Sequence, residues 1–347
     1  MNDLQKLTDK KARLDAHRPL SPELVQNLEE WFKVELTYTS NAIEGNTLTR
    51  SETALVVEKG LTVKGKTVTE HLEAINHAHA LDYIKELARM KRQELTKADI
   101  MNIHRLILRG IDDKNAGEYH REDVRISGMD YLPPSSLQVP PLMDEFFEWL
   151  KADNQDHPVK VASDAHFKLV SIHPFADGNG RTGRLLMNLL LMQEGYPPAV
   201  IRKEDRGDYI ASLDSAQMRN SFDSYYSIIF EAVDRSFDLY LKAVEPGKDG
   251  TFRMPEPTMK LLRIGELASL TGETAVSIRH WTDEGLLEVA YTTEKGYRYY
   301  RPEAESKVKA IRRYQEQDRL SLPEIRERFK NESNQVGGVE TKGGTNG

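Results

Sequence analysis

The chain has 347 residues, 39% hydrophobic and 30% charged, which is the make-up of a folded globular protein of two or three domains. It contains no cysteine, so disulfides, thiolate zinc sites and thiol nucleophiles are excluded together, and a reducing cytoplasm fits. The net charge of −7 argues against a chain that binds nucleic acid along its whole length.

That charge is uneven. Residues 258–330 carry 14 Lys/Arg against 12 Asp/Glu, whereas residues 1–257 carry 33 against 41. No apolar run reaches the roughly 18 residues of a membrane helix. The start, MNDLQKLTDKKARLDAHRP, lacks the apolar stretch of about 7–15 residues found in a secretory signal. A cytoplasmic protein with no membrane partner is expected.

Most of residues 1–245 reads as helix. SPELVQNLEEWFKVEL has Ser21 as N-cap, Pro22 at the first helical position, and Leu24, Leu28, Trp31 and Phe32 on one face. TVTEHLEAINHAHALDYIKELARM is a second amphipathic helix. TKADIMNIHRLILRG starts at the cap Thr96 and stops at Gly110. PLMDEFFEWLKAD and ASDAHFKLVSI follow, and RTGRLLMNLLLMQEG runs to Gly195, where Pro197 and Pro198 end it. One interval departs from the pattern: GEYHREDVRISGMDYLPP has alternation at Val124, Arg125 and Ile126, then a Gly128-Met129-Asp130 turn, then Tyr131 and a double proline, predicting a short exposed β-hairpin. The fold class expected is mainly α, a helical bundle bearing a β-hairpin, with a small C-terminal winged helix-turn-helix. The expected divisions are 1–92, an N-terminal helical region; 93–245, a core; 246–257, a Pro/Gly linker; 258–330, the winged module; and 331–347, a disordered tail.

The chemistry concentrates in SIHPFADGNGRTGR, Ser171 to Arg184. Gly178, Asn179 and Gly180 allow a tight turn whose N–H groups converge on an anion. The helix that follows adds its own free N–H groups and positive dipole end. Arg181 and Arg184, three apart, share one face and suit the phosphates of one ligand. Asp177 offers the hard oxygen that Mg²⁺ takes beside phosphates. His173, if neutral, can accept a proton from an incoming hydroxyl. GLTVKGKT, Gly60 to Thr67, fits the spacing of a P-loop, but its interior is bulky and no alternation of strands and helices surrounds it.

His173, Phe175, Asp177, Gly178, Asn179, Gly180, Arg181 and Arg184 together fill the pattern H-x-F-x-[DE]-G-N-G-R-x-x-R, and over roughly residues 30–245 the chain resembles the Fic family. The resemblance implies transfer of AMP from ATP to a hydroxyl of a target protein. His173 would be the base and Asp177 the Mg²⁺ ligand. Gly178, Asn179, Gly180, Arg181 and Arg184 would grip the phosphates. GEYHREDVRISG would be a flap presenting the target along Val124–Ile126. Relatives that transfer a phosphate carry Lys where this chain has Gly180, which favours nucleotidyl transfer. SNAIEGN resembles the family's inhibitory segment: Ser40 and Glu44 share a helix face, and Glu44 would pair with Arg184 in the space of the outer phosphate. The same glutamate supports AMP removal in some relatives, so both directions stay open.

The C-terminal stretch LLRIGELASLTGETAVSIRHWTDEGLLEVAYTTEKGYRYYRPEAE reads as helix, tight turn, helix, then a small wing, and resembles MerR-type regulators. Arg279, His280 and Arg298 would be its DNA contacts. Val289 and Tyr291 stand where relatives carry Pro and a basic residue, and no long dimerisation helix follows. DNA binding and a protein-docking or homodimer-forming role both stay open. So do two rival functions for the whole chain: a regulator whose core only senses a nucleotide, and a transferase using another nucleotide donor.

Overall fold

The computed structural model describes residues 3–126, 130–153, 155–245, 261–292, 296–301 and 303–336. The chain divides into two units, residues 1–258 and 259–347.

Among its described residues the first unit has helices joined by loops and no strand. Its helices are α1 (Asp3–Asp15), α2 (Pro22–Ile43), α3 (Arg50–Lys59), α4 (Val68–Leu87), α5 (Lys97–Leu108), α6 (Val139–Lys151), α7 (Pro158–Ile172), α8 (Asn179–Gln193), α9 (Arg206–Arg219) and α10 (Asp223–Val244). Their starts follow the capping chemistry. The Ser21 hydroxyl accepts from Leu24 N–H at 3.2 Å, and Thr49–Glu52, Thr67–Glu70 and Thr96–Asp99 form reciprocal boxes. α8 is buried all round, with Leu185, Leu186, Met187, Leu189, Leu190 and Leu191 inside, so it is the central helix rather than a surface one. It packs against α7, with α2, α4 and α5 on its other sides. Gly183 allows that approach, since a Cβ there would stand 2.9 Å from Val170 Cγ1. One continuous core joins Leu7 and Leu28 to Leu189 and Phe237.

The expected hairpin is described only in part. Residues 120–126 and 130–134 carry no strand pairing among the described residues, and Gly128 and Met129 lie outside them. The described limbs are held by other contacts: Ser136 N–H donates to Asp123 Oδ1 at 2.9 Å, and Tyr131 O–H to the Ser171 carbonyl at 3.0 Å. The P-loop spacing at 60–67 joins two helices without forming a strand. Gly60 ends α3 with a left-handed φ of 61°, and Lys66 Nζ is held by the Thr47 carbonyl at 2.5 Å.

The second unit pairs β1 (Leu262–Arg263), β2 (Tyr291–Thr292) and β3 (Arg298–Tyr300) in an antiparallel sheet ordered β1-β3-β2, with Leu262 opposite Tyr300 and Tyr291 opposite Tyr299. Its helices are α11 (Ile264–Thr271), α12 (Ala275–Asp283), α13 (Ala304–Glu316) and α14 (Leu322–Val336). Leu267, Ile278, Trp281, Leu287, Tyr300, Val308, Ile311 and Ile325 make its core. The linker 246–257 lies outside the described residues. The expected disordered tail needs correcting at its start, because α14 carries residues 331–336 as helix; 337–347 lie outside.

Candidate active site

α7 ends at His173, whose backbone takes a left-handed turn (φ 52°, ψ 53°) while its N–H still donates to the Leu169 carbonyl at 2.9 Å. A non-glycine residue held there is costly and is kept only where the surroundings determine it. They do so here. Asn179 Oδ1 accepts from Phe175 N–H at 3.0 Å, and Asn179 Nδ2 donates to the Phe175 carbonyl at 2.7 Å. The Phe175 ring is buried and stacks on His104, with ring centres 3.7 Å apart and planes 6° apart.

His104 is the strut the sequence did not single out. Gly117 N–H donates to its Nδ1 at 2.9 Å, so its proton sits on Nε2, which donates to the Asp177 carbonyl at 2.8 Å. Burial pushes it down to about 4 and keeps it neutral. One imidazole thus ties α5 and the foot of the proposed flap to the loop. Gly178 (φ 78°) passes so close that a Cβ would lie 3.2 Å from the His104 ring.

Asn179 therefore differs from expectation. Its side chain is buried and both amide groups close the loop. Its backbone N–H, with those of Gly180 and Arg181, opens the first turn of α8, where no intrahelical acceptor exists.

The His173 Nδ1 lies 3.4 Å from the Val170 carbonyl, which can only accept, so Nδ1 carries the proton and Nε2 keeps its lone pair. Burial pushes this imidazole down to about 4; the Val170 bond opposes the shift, and nearby His120 adds to it. His120 N–H donates to the Pro174 carbonyl at 3.0 Å, joining the limb that leads to Val124, Arg125 and Ile126. Arg125 is exposed, while Val124 and Ile126 are half-buried.

Both arginines are buried and already paired. Arg181, 3% exposed at the side chain, donates to Glu73 Oε1 at 3.0 Å and to Asp177 Oδ2 at 3.1 Å. Its Nε is buried and has no partner. Arg184 donates through Nε to Ser40 Oγ at 3.0 Å, and through Nη2 to the Ser40 carbonyl at 3.0 Å and Glu44 Oε1 at 2.6 Å. Glu44 caps α2 beside Gly180: a Cβ on that glycine would fall onto Glu44 Oε1 and stand 3.0 Å from Arg184 Nη1. The structure thus brings together His173, Asp177, Gly178, Gly180, Arg181, Arg184, Ser40 and Glu44. Glu73, which Asn46 also holds at 2.8 Å, was not legible, because its partner arginine lies 108 positions away.

In the second unit Arg279 and His280 are exposed on α12. Arg298 is engaged, donating to Asp283 Oδ1 at 2.5 Å.

Comparison with known proteins agrees with this geometry. The model of the Fic/DOC family matches residues 94–191, and that of the MerR HTH family regulatory protein matches residues 262–332. A protein adenylyltransferase Fic from Nematostella vectensis is 40% identical over 206 residues, which are 59% of this chain and 48% of the relative. The chain spans about half the length of the curated relatives it matches. Among solved structures, Fic-1 (residues 134–508) from C. elegans superposes with a TM-score of 0.65 at 28% identity, covering 70% of this chain and 72% of that one. A Fic domain containing signalling protein from Bacteroides thetaiotaomicron superposes with a TM-score of 0.62 at 30% identity, covering 70% of this chain and 97% of that one. On the loop, the fold and this coverage, the chain belongs to the Fic family.

Proposed function

We propose that this chain transfers AMP from ATP to a Ser, Thr or Tyr hydroxyl of a target protein, and that Glu44 holds the activity in check. The observation that carries the reading is the state of His173: a neutral imidazole with an unprotonated Nε2, set just before a helix N-terminus flanked by two buried arginines. The names of the relatives, protein adenylyltransferase Fic, supply the nucleotide donor.

The hydroxyl of the target gives its proton to His173 Nε2 as its oxygen bonds to the α-phosphorus of ATP. The bridging bond to the β-phosphate breaks, and pyrophosphate leaves with the electron pair. The free N–H groups of Asn179, Gly180 and Arg181 hold phosphate oxygens, with Gly178 shaping the turn that aims them, and the arginines take the outer charge. Asp177 would hold Mg²⁺, which when bound neutralises phosphate charge. The residue fits such an ion: Asp177 is a single carboxylate, 67% exposed at the side chain, offering a hard oxygen beside the start of α8. That donor set suits a metal brought in by the nucleotide. The limb at Val124–Ile126 would present an extended target segment by main-chain pairing, which leaves side-chain choice loose.

With Glu44 on Arg184, the outer phosphate has no partner there. A tethered carboxylate competes at an effective concentration of about millimolar. The same carboxylate, once apart from Arg184, can also serve removal of AMP. A pure nucleotide sensor would have no use for the bared lone pair on His173. For the second unit we propose DNA binding through α12, carried by the exposed Arg279 and His280.

The test uses ATP labelled on the α-phosphate, with Mg²⁺, and reads label on the protein and in a lysate. Glu44→Gly is expected to label strongly, with wild type and Glu44→Gly/His173→Ala silent. Equal labelling by wild type and Glu44→Gly would sink the inhibition. ATP binding without label in any variant would return the reading to a sensor or another donor.

A further inference from the structure

The first unit holds a cavity of about 350 Å³ that the transfer reaction does not use. That volume is at the low end for small-molecule sites and has room for a ligand of one or two rings. Its floor is apolar: Phe32 and Leu36 from α2, Leu81 from α4, Met192 from the end of α8, and Tyr240 from α10. The Phe32 and Tyr240 rings stack with centres 5.5 Å apart and planes 25° apart, a flat aromatic wall. Met192 lies about 20 Å along α8 from Asn179, so the cavity is at the other pole of the helix that starts in the catalytic loop.

Charged groups gather at the mouth. Lys33, Lys85 and Arg89 line it with Glu29 and Glu86, three cations against two carboxylates. Each cation has a partner. Arg89 takes Glu86 at 2.8 Å, Lys85 takes Glu29 at 3.1 Å, and Lys33 takes Asp82, which stands outside the lining, at 2.6 Å. The lining thus keeps one positive charge in excess. The Lys85–Glu29 pair is the one a ligand can enter: it is the longest of the three, and Glu29, 52% exposed at the side chain, can turn to water.

Tyr240 adds a donor. Tyr196, which also lines the cavity, turns its hydroxyl to His157 Nε2 at 3.4 Å, whereas that of Tyr240 makes no hydrogen bond among the described residues. Burial pushes Tyr240 up to about 12, so the phenol keeps its proton. A flat apolar wall, an excess positive charge and an open donor converge on one chemistry.

We propose that this cavity binds a small aromatic carboxylate, its ring against Phe32 and Tyr240 and its charge taking Lys85 from Glu29. The proposal does not rest on the reading of the transfer reaction.

The experiment titrates the full chain calorimetrically with 2-naphthoate and, as the uncharged control, 2-naphthalenemethanol. 2-Naphthoate should bind with a dissociation constant of about 1 mM or tighter, the limit that ordinary ligand efficiency sets for its size. Lys85→Gln should weaken it about fivefold, the scale of one part-exposed ion pair, and leave the alcohol within about twofold. Glu29→Gln removes the competing carboxylate and should tighten 2-naphthoate by a similar factor, a gain that damage to the fold does not produce. Ala88→Trp, on the cavity wall, should abolish binding of both probes. No binding of either probe at millimolar concentration overturns the proposal. So does an equal loss of both probes in Lys85→Gln, or 2-naphthoate binding that ignores all three substitutions. Displacement of 2-naphthoate by the non-cleavable α,β-methylene analogue of ATP would put the probe in the nucleotide site and overturn it as well.

Discussion

Glu44 Oε1 accepts from Arg184 Nη2 at 2.6 Å, and it rests where a methyl group on Gly180 would stand. The glycine does more than free the turn: its missing side chain leaves the space that the Glu44 carboxylate occupies. Gly180→Ala is therefore expected to unseat Glu44, whose side chain is 36% exposed and free to swing outward. A loss of about 1.4 kcal/mol from the pair would raise the open population about tenfold. Transfer of α-phosphate label should rise accordingly in the Glu44 protein. In the Glu44→Gly background the same methyl should bring no gain. A rise in both backgrounds would refute this seating.

Asn179 makes a second, separable prediction. Both of its amide groups are engaged by the Phe175 backbone, inside the protein. Asn179→Ala would leave a buried N–H and carbonyl unpaired, at a cost of about 1–3 kcal/mol. The urea midpoint should fall together with transfer activity. A side chain that gripped phosphate would behave differently, lowering ATP affinity with the midpoint unchanged.

That contrast shows where the sequence is legible. The caps at Ser21 and Thr96, the apolar α8 and the stop at Gly195 act within a turn or two of themselves, so local pattern reveals them. The site residues His173, Asp177, Arg181 and Arg184 are legible because they share one loop and one turn of helix. What stays hidden is made by distant positions. His104 looks like one more residue on an amphipathic helix until Gly117 and Asp177 close on it. Glu73 meets Arg181, and Tyr209 meets His166, only through helix packing. Asn179 was legible as an important residue but not in its direction, because an amide beside a phosphate nest can face either way.

Burial holds His173 at about 4, well below an ordinary histidine, with the Val170 bond and the Glu44 charge pulling the other way. A base must be unprotonated, so its contribution is present above that value and is lost as pH falls through about 4. Removing Glu44 takes away one of the raising influences and moves the limb no higher. Transfer by Glu44→Gly should therefore show no histidine limb between pH 6 and 8. A half-maximal point near 6.5 would contradict the buried, neutral state.

The same physics sets acid stability. Burial pushes His77 and His166 down to about 3, while in the unfolded chain a histidine takes a proton below about 6.5. Folding stability from these groups is complete above that value and is lost as pH falls, since only the unfolded chain accepts the protons. For His166 alone the loss at pH 5 is about 2 kcal/mol. The urea midpoint at pH 5 should lie clearly below that at pH 7, and His166→Gln should flatten the difference. A midpoint independent of pH would show that these imidazoles are not held neutral.

In the second unit, Arg298 donates to Asp283 at 2.5 Å, and that aspartate ends α12, the helix proposed to enter DNA. The pair lowers the positive charge on the binding face twice over, by engaging the arginine and by keeping a carboxylate close to where phosphates would lie. Arg279 and His280 are left as the exposed contacts. Arg279→Ala should thus weaken a duplex mobility shift. Asp283→Ala should strengthen it, and the slope of log affinity against log salt should steepen by about one as Arg298 gains a phosphate. Stronger binding with an unchanged slope would mean that only repulsion had been relieved. No shift for the parent protein at low salt would overturn DNA binding and assign this face to a protein partner, for which the exposed Leu270, Val276 and Tyr297 supply apolar contact area.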